Sequence, residues 1–122
     1  YFLILALPEN AVRLYGEIAG NLRVEPYWRL YAEGENACDF SVNSDSLPEM
    51  GRATASDYLV HLRRVTRMAF LSINQEAKAH YGGEEPQNCV RELVEESGVF
   101  RCVSRQRHWL RQGYVEEVFV AR

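Results

Sequence analysis

Cysteine is scarce in this chain and badly spaced for structural chemistry. Cys38, Cys89 and Cys102 are odd in number and form no C-x-x-C pair, which excludes a disulfide framework and a zinc site of ordinary spacing. Reduced thiols in a cytoplasmic protein are the expectation. Long apolar runs are missing too. Tyr1–Leu7 (YFLILAL) has seven residues and no basic flank, too short for a membrane span or a signal peptide, so no membrane partner is expected. Lysine is almost absent, with Lys78 alone beside thirteen arginines; genomic base composition produces such a bias, so it says nothing about phosphate. His61, His80 and His108 are never at metal-ligand spacing, and no G-x-S-x-G, Walker A or G-x-G-x-x-G occurs.

What is present fits one globular domain. The chain has 122 residues, 47% hydrophobic and 25% charged, enough to bury a core. A net charge of −3 exerts no general pull on nucleic acid or anionic lipid. Residues 1–50 carry three Arg and eight acids, and residues 51–122 carry eleven bases and nine acids, so the acidic excess lies in the first part. A start at Tyr1 rather than Met suggests a piece of a longer chain.

The pattern predicts the order β-α-β-β-α-α-β-β. Tyr1–Leu7 reads as a buried strand. Pro8 opens a helix running to about Arg23. Tyr27–Ala32 and Ala37–Val42 flank Glu33-Gly34-Glu35-Asn36 as a hairpin, and Asn43–Gly51 is a loop. Thr54–His80 reads as one helix, with Tyr58, Leu62, Val65, Ala69, Ile73 and Ala77 on a face. Strands over Tyr58–Val65 and Met68–Ile73 are the other reading, because both runs hold branched and aromatic residues. Pro86 and Gly98 bracket a further helix. Val99–Leu110 and Tyr114–Ala121 form a hairpin around Gln112-Gly113. The order suits a two-layer α+β sandwich, an antiparallel sheet with helices on one face and a ferredoxin-like core.

Residues 91–99 read R-E-L-V-E-E-S-G-V. Glu92, Glu95 and Glu96 share one helix face, and clustered carboxylates suit Mg²⁺ or Mn²⁺. This stretch resembles the second half of the Nudix box, R-E-aliphatic-x-E-E-x-G-aliphatic, through Arg91, Glu92, Leu93, Glu95, Glu96, Gly98 and Val99. The resemblance implies a divergent or inactive metal-dependent hydrolase of nucleotide-type pyrophosphates, with Glu92, Glu95 and Glu96 as metal ligands. The first half of the box is absent: Gly83 stands where it requires Glu, and Ala77 where it requires Gly. The same nine residues also suit a solvated amphipathic helix, with Cys89, Val90, Leu93 and Val94 inward, an Arg91–Glu95 pair outward and a glycine at the end.

Strand alternation places Arg101, Arg105, Arg107, Trp109 and Arg111 on one face of the C-terminal hairpin. Guanidinium groups fork onto phosphate and indole stacks on bases, so a nucleotide or nucleic acid is a candidate ligand. Edge-strand protection explains the same arginines. The alternative function class is therefore a non-catalytic binding module, homo-oligomeric through exposed apolar residues and contacting protein or nucleic acid through this face.

Overall fold

The computed structural model describes residues 6–8, 11–17, 21–76 and 86–122. The chain forms two compact units, Tyr1–Ala32 and Glu33–Arg122. Most of the strand expected at Tyr1–Leu7, and His80, Gly82 and Gly83, lie outside the described residues.

In the first unit, β1 (Val12–Leu14) and β2 (Leu22–Val24) pair in parallel, Val12 opposite Leu22 and Leu14 opposite Val24. The helix predicted from Pro8 to Arg23 is overturned here. Gly16 adopts a φ of +94°, which a helix cannot contain, and Glu17 accepts the Leu14 N–H at 2.7 Å to close the turn. The strand expected at Tyr27–Ala32 is a short helix, α1 (Arg29–Ala32). The Arg29 N–H bonds the Pro26 carbonyl at 3.0 Å, and Arg29 pairs with Glu25 four residues back.

The second unit holds a four-stranded mixed sheet. Its strands are β3 (Cys38–Ser44), β4 (Thr66–Gln75), β5 (Phe100–Arg107) and β6 (Tyr114–Ala121), in the spatial order β3-β4-β6-β5. β3 and β4 are parallel, and β6 lies antiparallel between β4 and β5. A parallel pair needs a crossover, supplied by α2 (Ser46–Glu49) and α3 (Arg52–Val65). α4 (Val90–Ser97) precedes the C-terminal hairpin. The protein is α+β as expected, but the antiparallel, ferredoxin-like sheet is corrected: β3 pairs with β4, not with residues 27–32.

The single helix over Thr54–His80 is corrected as well. Ala55, Leu59, Leu62 and Val65 are buried at helical spacing, and then burial switches to Phe70, Ser72 and Asn74 at period two. The switch falls at Val65-Thr66, where the Thr66 N–H caps the Leu62 carbonyl and ψ opens to 120°. The strand reading of Met68–Ile73 therefore holds, while that of Tyr58–Val65 does not. Burial of one face at period two and ladders to two neighbours outweigh the helical periodicity of this stretch.

One sheet face is closed. Phe70 of β4 packs against Phe100 at 5.5 Å and Phe119 at 5.7 Å between ring centroids. α3 packs on β4 and on α4, and α4 on β5. Ala55, Leu59, Leu93 and Val94 are buried with these aromatics. The other face keeps Phe40 and Val42 63% and 64% exposed.

α4 ends as predicted. Gly98 takes φ +67° and returns its N–H to the Val94 carbonyl. A Cβ there meets nothing within 4 Å, so only backbone strain opposes substitution. Gly98→Ala is expected to lower unfolding free energy by about 1 kcal/mol in urea titrations. No change would mean that Gly98 leaves the left-handed region.

Candidate functional site

In open sheets with parallel strands, ligands bind at the carboxyl ends of those strands. β3 and β4 run in one direction, and so does β5, since both β4 and β5 are antiparallel to β6. One end of the sheet therefore gathers the residues that follow β3, β4 and β5 and the start of β6.

Immediately after β3, Asp45 sits at φ +65° and ψ −17°. A non-glycine residue held there stores strain, a feature concentrated at ligand-binding turns. Asp45 Oδ2 accepts from Arg111 Nη1 at 2.7 Å, and Arg111 Nη2 donates to the Tyr114 hydroxyl at 2.6 Å. The Arg111 guanidinium also lies over the Tyr114 ring, 3.7 Å from its centroid. The Tyr114 hydroxyl and then Arg111 hold the Asp45 carboxyl below its ordinary value of 3.8. Asp45 in turn raises both the Tyr114 hydroxyl and Arg111. A carboxyl with a depressed folded pKa contributes stability above its unfolded pKa and loses it as pH falls through the folded value. Asp45→Asn keeps a residue that tolerates positive φ and removes only the charge. Its stability curve is expected to be flatter than the parent's below about pH 4. Parallel acid limbs in pH-dependent melting would rule the pairing out.

A buried polar row crosses the closed face just inside this end. Asn43, Ser72 and Glu117 occupy neighbouring register positions on β3, β4 and β6, with Asn74 two residues further along β4. Asn74 Nδ2 donates to Ser72 Oγ at 2.8 Å and faces Asn43 Oδ1 at 3.1 Å. The Asn43 oxygens can only accept, which fixes the amide's orientation. Asn74 Oδ1 is left buried with no hydrogen-bond partner among the described residues. Glu117 is 4% exposed and takes Arg105, whose second branch reaches Glu76 beyond the end of β4. Glu76 and then Glu117 raise the already high pKa of Arg105, so this charge is permanent.

A cavity of about 740 Å³ opens between the end of β4 and the β5–β6 turn, lined by Glu76, Arg105–His108 and Arg111–Val115. His108 Nδ1 lies 3.5 Å from Glu116 Oε1 and 3.3 Å from the Leu110 N–H, and Gln106 donates to the other Glu116 oxygen at 2.7 Å.

The predicted residues are distributed differently from expectation. Glu92, Glu95 and Glu96 lie on α4. Glu95 pairs with Arg91 at 2.9 Å, Glu96 pairs with Arg52 of α3, and both carboxylates are more than half exposed. Among the described residues no group of three His, Cys, Asp or Glu could hold a metal ion, so none is assembled for Mg²⁺ or Mn²⁺. The motif-like positions answer to helix building: Leu93 is buried, Arg91 and Glu95 pair across one turn, and Gly98 is the left-handed cap. The single face of arginines is also corrected. The register slips between Cys102 and Ser104, and the bulge turns Arg105 and Arg107 to the face of Glu117 and Val115, leaving Arg101 opposite Val120 on the other face. Trp109 is 83% exposed, and Arg111 is engaged by Asp45.

Asp45, Asn74, His108, Tyr114 and Glu117 were not singled out from sequence. Glu117 had a signal, since it stands in phase with Val115 and Phe119, the inward positions of its strand.

No family model matches the chain, and no curated protein matches it in sequence. Solved structures share its fold. The PH0226 protein from Pyrococcus horikoshii OT3 superposes with a TM-score of 0.66 at 12% identity, over 84% of this chain and 61% of that one. Magnesium protoporphyrin IX methyltransferase (ChlM) from Synechocystis PCC 6803 with bound S-adenosylmethionine (SAM) does so with a TM-score of 0.55 at 17% identity, over 84% and 48%. LepI in complex with SAM follows with 0.60 at 8%, over 98% and 38%. The chain thus spans less than two thirds of each. The fold is of the kind seen in these structures, two of which hold SAM. This finding overturns the expectation of a Nudix-type pyrophosphate hydrolase and gives the non-catalytic module no support. No helix among the described residues is long and apolar enough to cross a membrane.

Proposed function

We propose that this chain binds SAM and the molecule it methylates at the carboxyl end of its sheet, with the crevice wall facing the acceptor. The observation that carries the reading is the strand order β3-β4-β6-β5, a parallel pair extended by an antiparallel hairpin. It gathers Asp45, Asn74, Glu76, His108 and Tyr114 at one end, in a fold that accommodates SAM in two of the solved neighbours. The donor set suits a polar acceptor better than the cofactor itself. The cavity offers a carboxylate, an imidazole and a phenol, and the sequence has no G-x-G-x-x-G cradle.

When bound, SAM supplies an electrophilic methyl group. The residues here orient the acceptor and manage its proton. His108 is the group placed to receive that proton: it lines the cavity, with Glu116 Oε1 3.5 Å from its Nδ1. Arg111 and Tyr114 line the crevice, and Asp45 holds Arg111 in place.

S-adenosylhomocysteine, the demethylated product, tests the reading. Added at about a hundred times its Kd, it is expected to stabilise the chain by about 2.7 kcal/mol, seen as a rise in Tm. His108→Gln should keep that rise while slowing methyl transfer by about a hundredfold or more. No rise in Tm at millimolar S-adenosylhomocysteine would overturn the proposal.

A further inference from the structure

Among the described residues, Arg107 is the arginine of the crevice wall whose guanidinium no carboxylate engages. The carboxylates around it are engaged: Glu76 and Glu117 by Arg105, Asp45 by Arg111, and Glu116 by Gln106 and His108. Arg107 lines the same cavity of about 740 Å³ and has no ionic or hydrogen-bonding partner among the described residues. Its position follows from the bulge, which turns it toward the end of β4 while Arg101 stays on the opposite face.

The geometry points to a seat for one carboxylate of a small-molecule acceptor, gripped by the Arg107 guanidinium. A guanidinium fork matches a carboxylate with two parallel hydrogen bonds. The surrounding charge favours the smaller anion: Asp45, Glu76, Glu116 and Glu117 stand against Arg105, Arg107 and Arg111, so a phosphomonoester at about −1.5 to −2 is repelled more than a singly charged carboxylate. The volume of about 740 Å³ suits a small molecule, because ligand pockets run from roughly 300 to 1,000 Å³. The split of the arginines between two faces leaves no continuous cationic track for a nucleic-acid strand. The seat depends on the methyl-transfer reading in one respect, that its occupant is the molecule methylated.

The probes are p-hydroxybenzoate, p-hydroxybenzamide and p-hydroxyphenyl phosphate, titrated calorimetrically into the chain, Arg107→Gln and Arg101→Gln. The carboxylate is expected to bind more tightly than the matched amide by about tenfold to a hundredfold. Arg107→Gln should abolish that preference, and Arg101→Gln should keep it. Equal affinity for acid and amide, or a preference that survives Arg107→Gln, overturns the seat. Tighter binding of the phosphate, or salt-steep binding of an oligonucleotide without a carboxylate preference, overturns it too by assigning another ligand class. A titration with S-adenosylhomocysteine in the same samples separates the two proposals. Cofactor-product binding without the acid preference removes the seat alone, and the acid preference without cofactor-product binding removes the methyl-transfer reading alone.

Discussion

Arg105→Met is expected to destabilise the second unit by about 3 kcal/mol, because it strips the partner from a carboxylate already inside the protein. Glu117 is 4% exposed and held by Arg105, which is itself 30% exposed and shared with Glu76. Removing the cation leaves a desolvated charge, and the loss comes from that orphan rather than from the pair's net worth. The double variant Arg105→Met/Glu117→Gln should therefore recover most of the stability, a coupling that a double-mutant cycle in urea measures directly. Glu95→Gln breaks the exposed pair with Arg91 and is expected to change stability by less than about 0.5 kcal/mol. Similar losses for Arg105→Met and Glu95→Gln would show that Glu117 is solvated.

Phe70→Ala is the second large effect, about 3–5 kcal/mol. Phe70 is fully buried on the central strand, between Phe100 and Phe119, so truncation opens a cavity that two rigid rings cannot fill. Phe40→Ala removes the same atoms from the open face of β3, where the ring is 63% exposed, and should cost well under 1 kcal/mol. Thermal melts of the two variants compare the faces directly. Equal losses would mean that the open face is covered in solution.

Local chemistry was readable without the fold. The hairpin turn at Gln112-Gly113, the strand Tyr114–Ala121 and the helix ending at Gly98 stand where the sequence placed them, because turn residues, period-two alternation and a left-handed cap act over a few residues. The Arg91–Glu95 pair was readable for the same reason. Thr66–Gln75 was ambiguous because its apolar residues satisfy helix and strand periods alike, and only pairing with β3 and β6 decides between them. Strict alternation along 99–111 failed at a bulge, which has no signature in composition yet reverses the face of every residue after it.

The site was the least legible part. Asp45 looks like any turn aspartate until its left-handed backbone and its bond to Arg111, 66 residues away in sequence, are seen together. Asn74 looks like a strand-end amide until its oxygen is found buried without a partner. The nine-residue match to a metal-binding box ran the other way: its pattern was real, but a solvated helix with a glycine cap meets the same demands.

The amino-acid sequence by itself determined the α+β character, the C-terminal hairpin and the cap of α4, all of which depend on residue type and near neighbours. The tertiary structure alone decided that β3 and β4 run parallel, that β6 enters between β4 and β5, and that Asp45, Glu76 and Arg107 come to one end of the sheet. Strand partners are chosen by burial summed over distant segments, and no window of the sequence contains that sum.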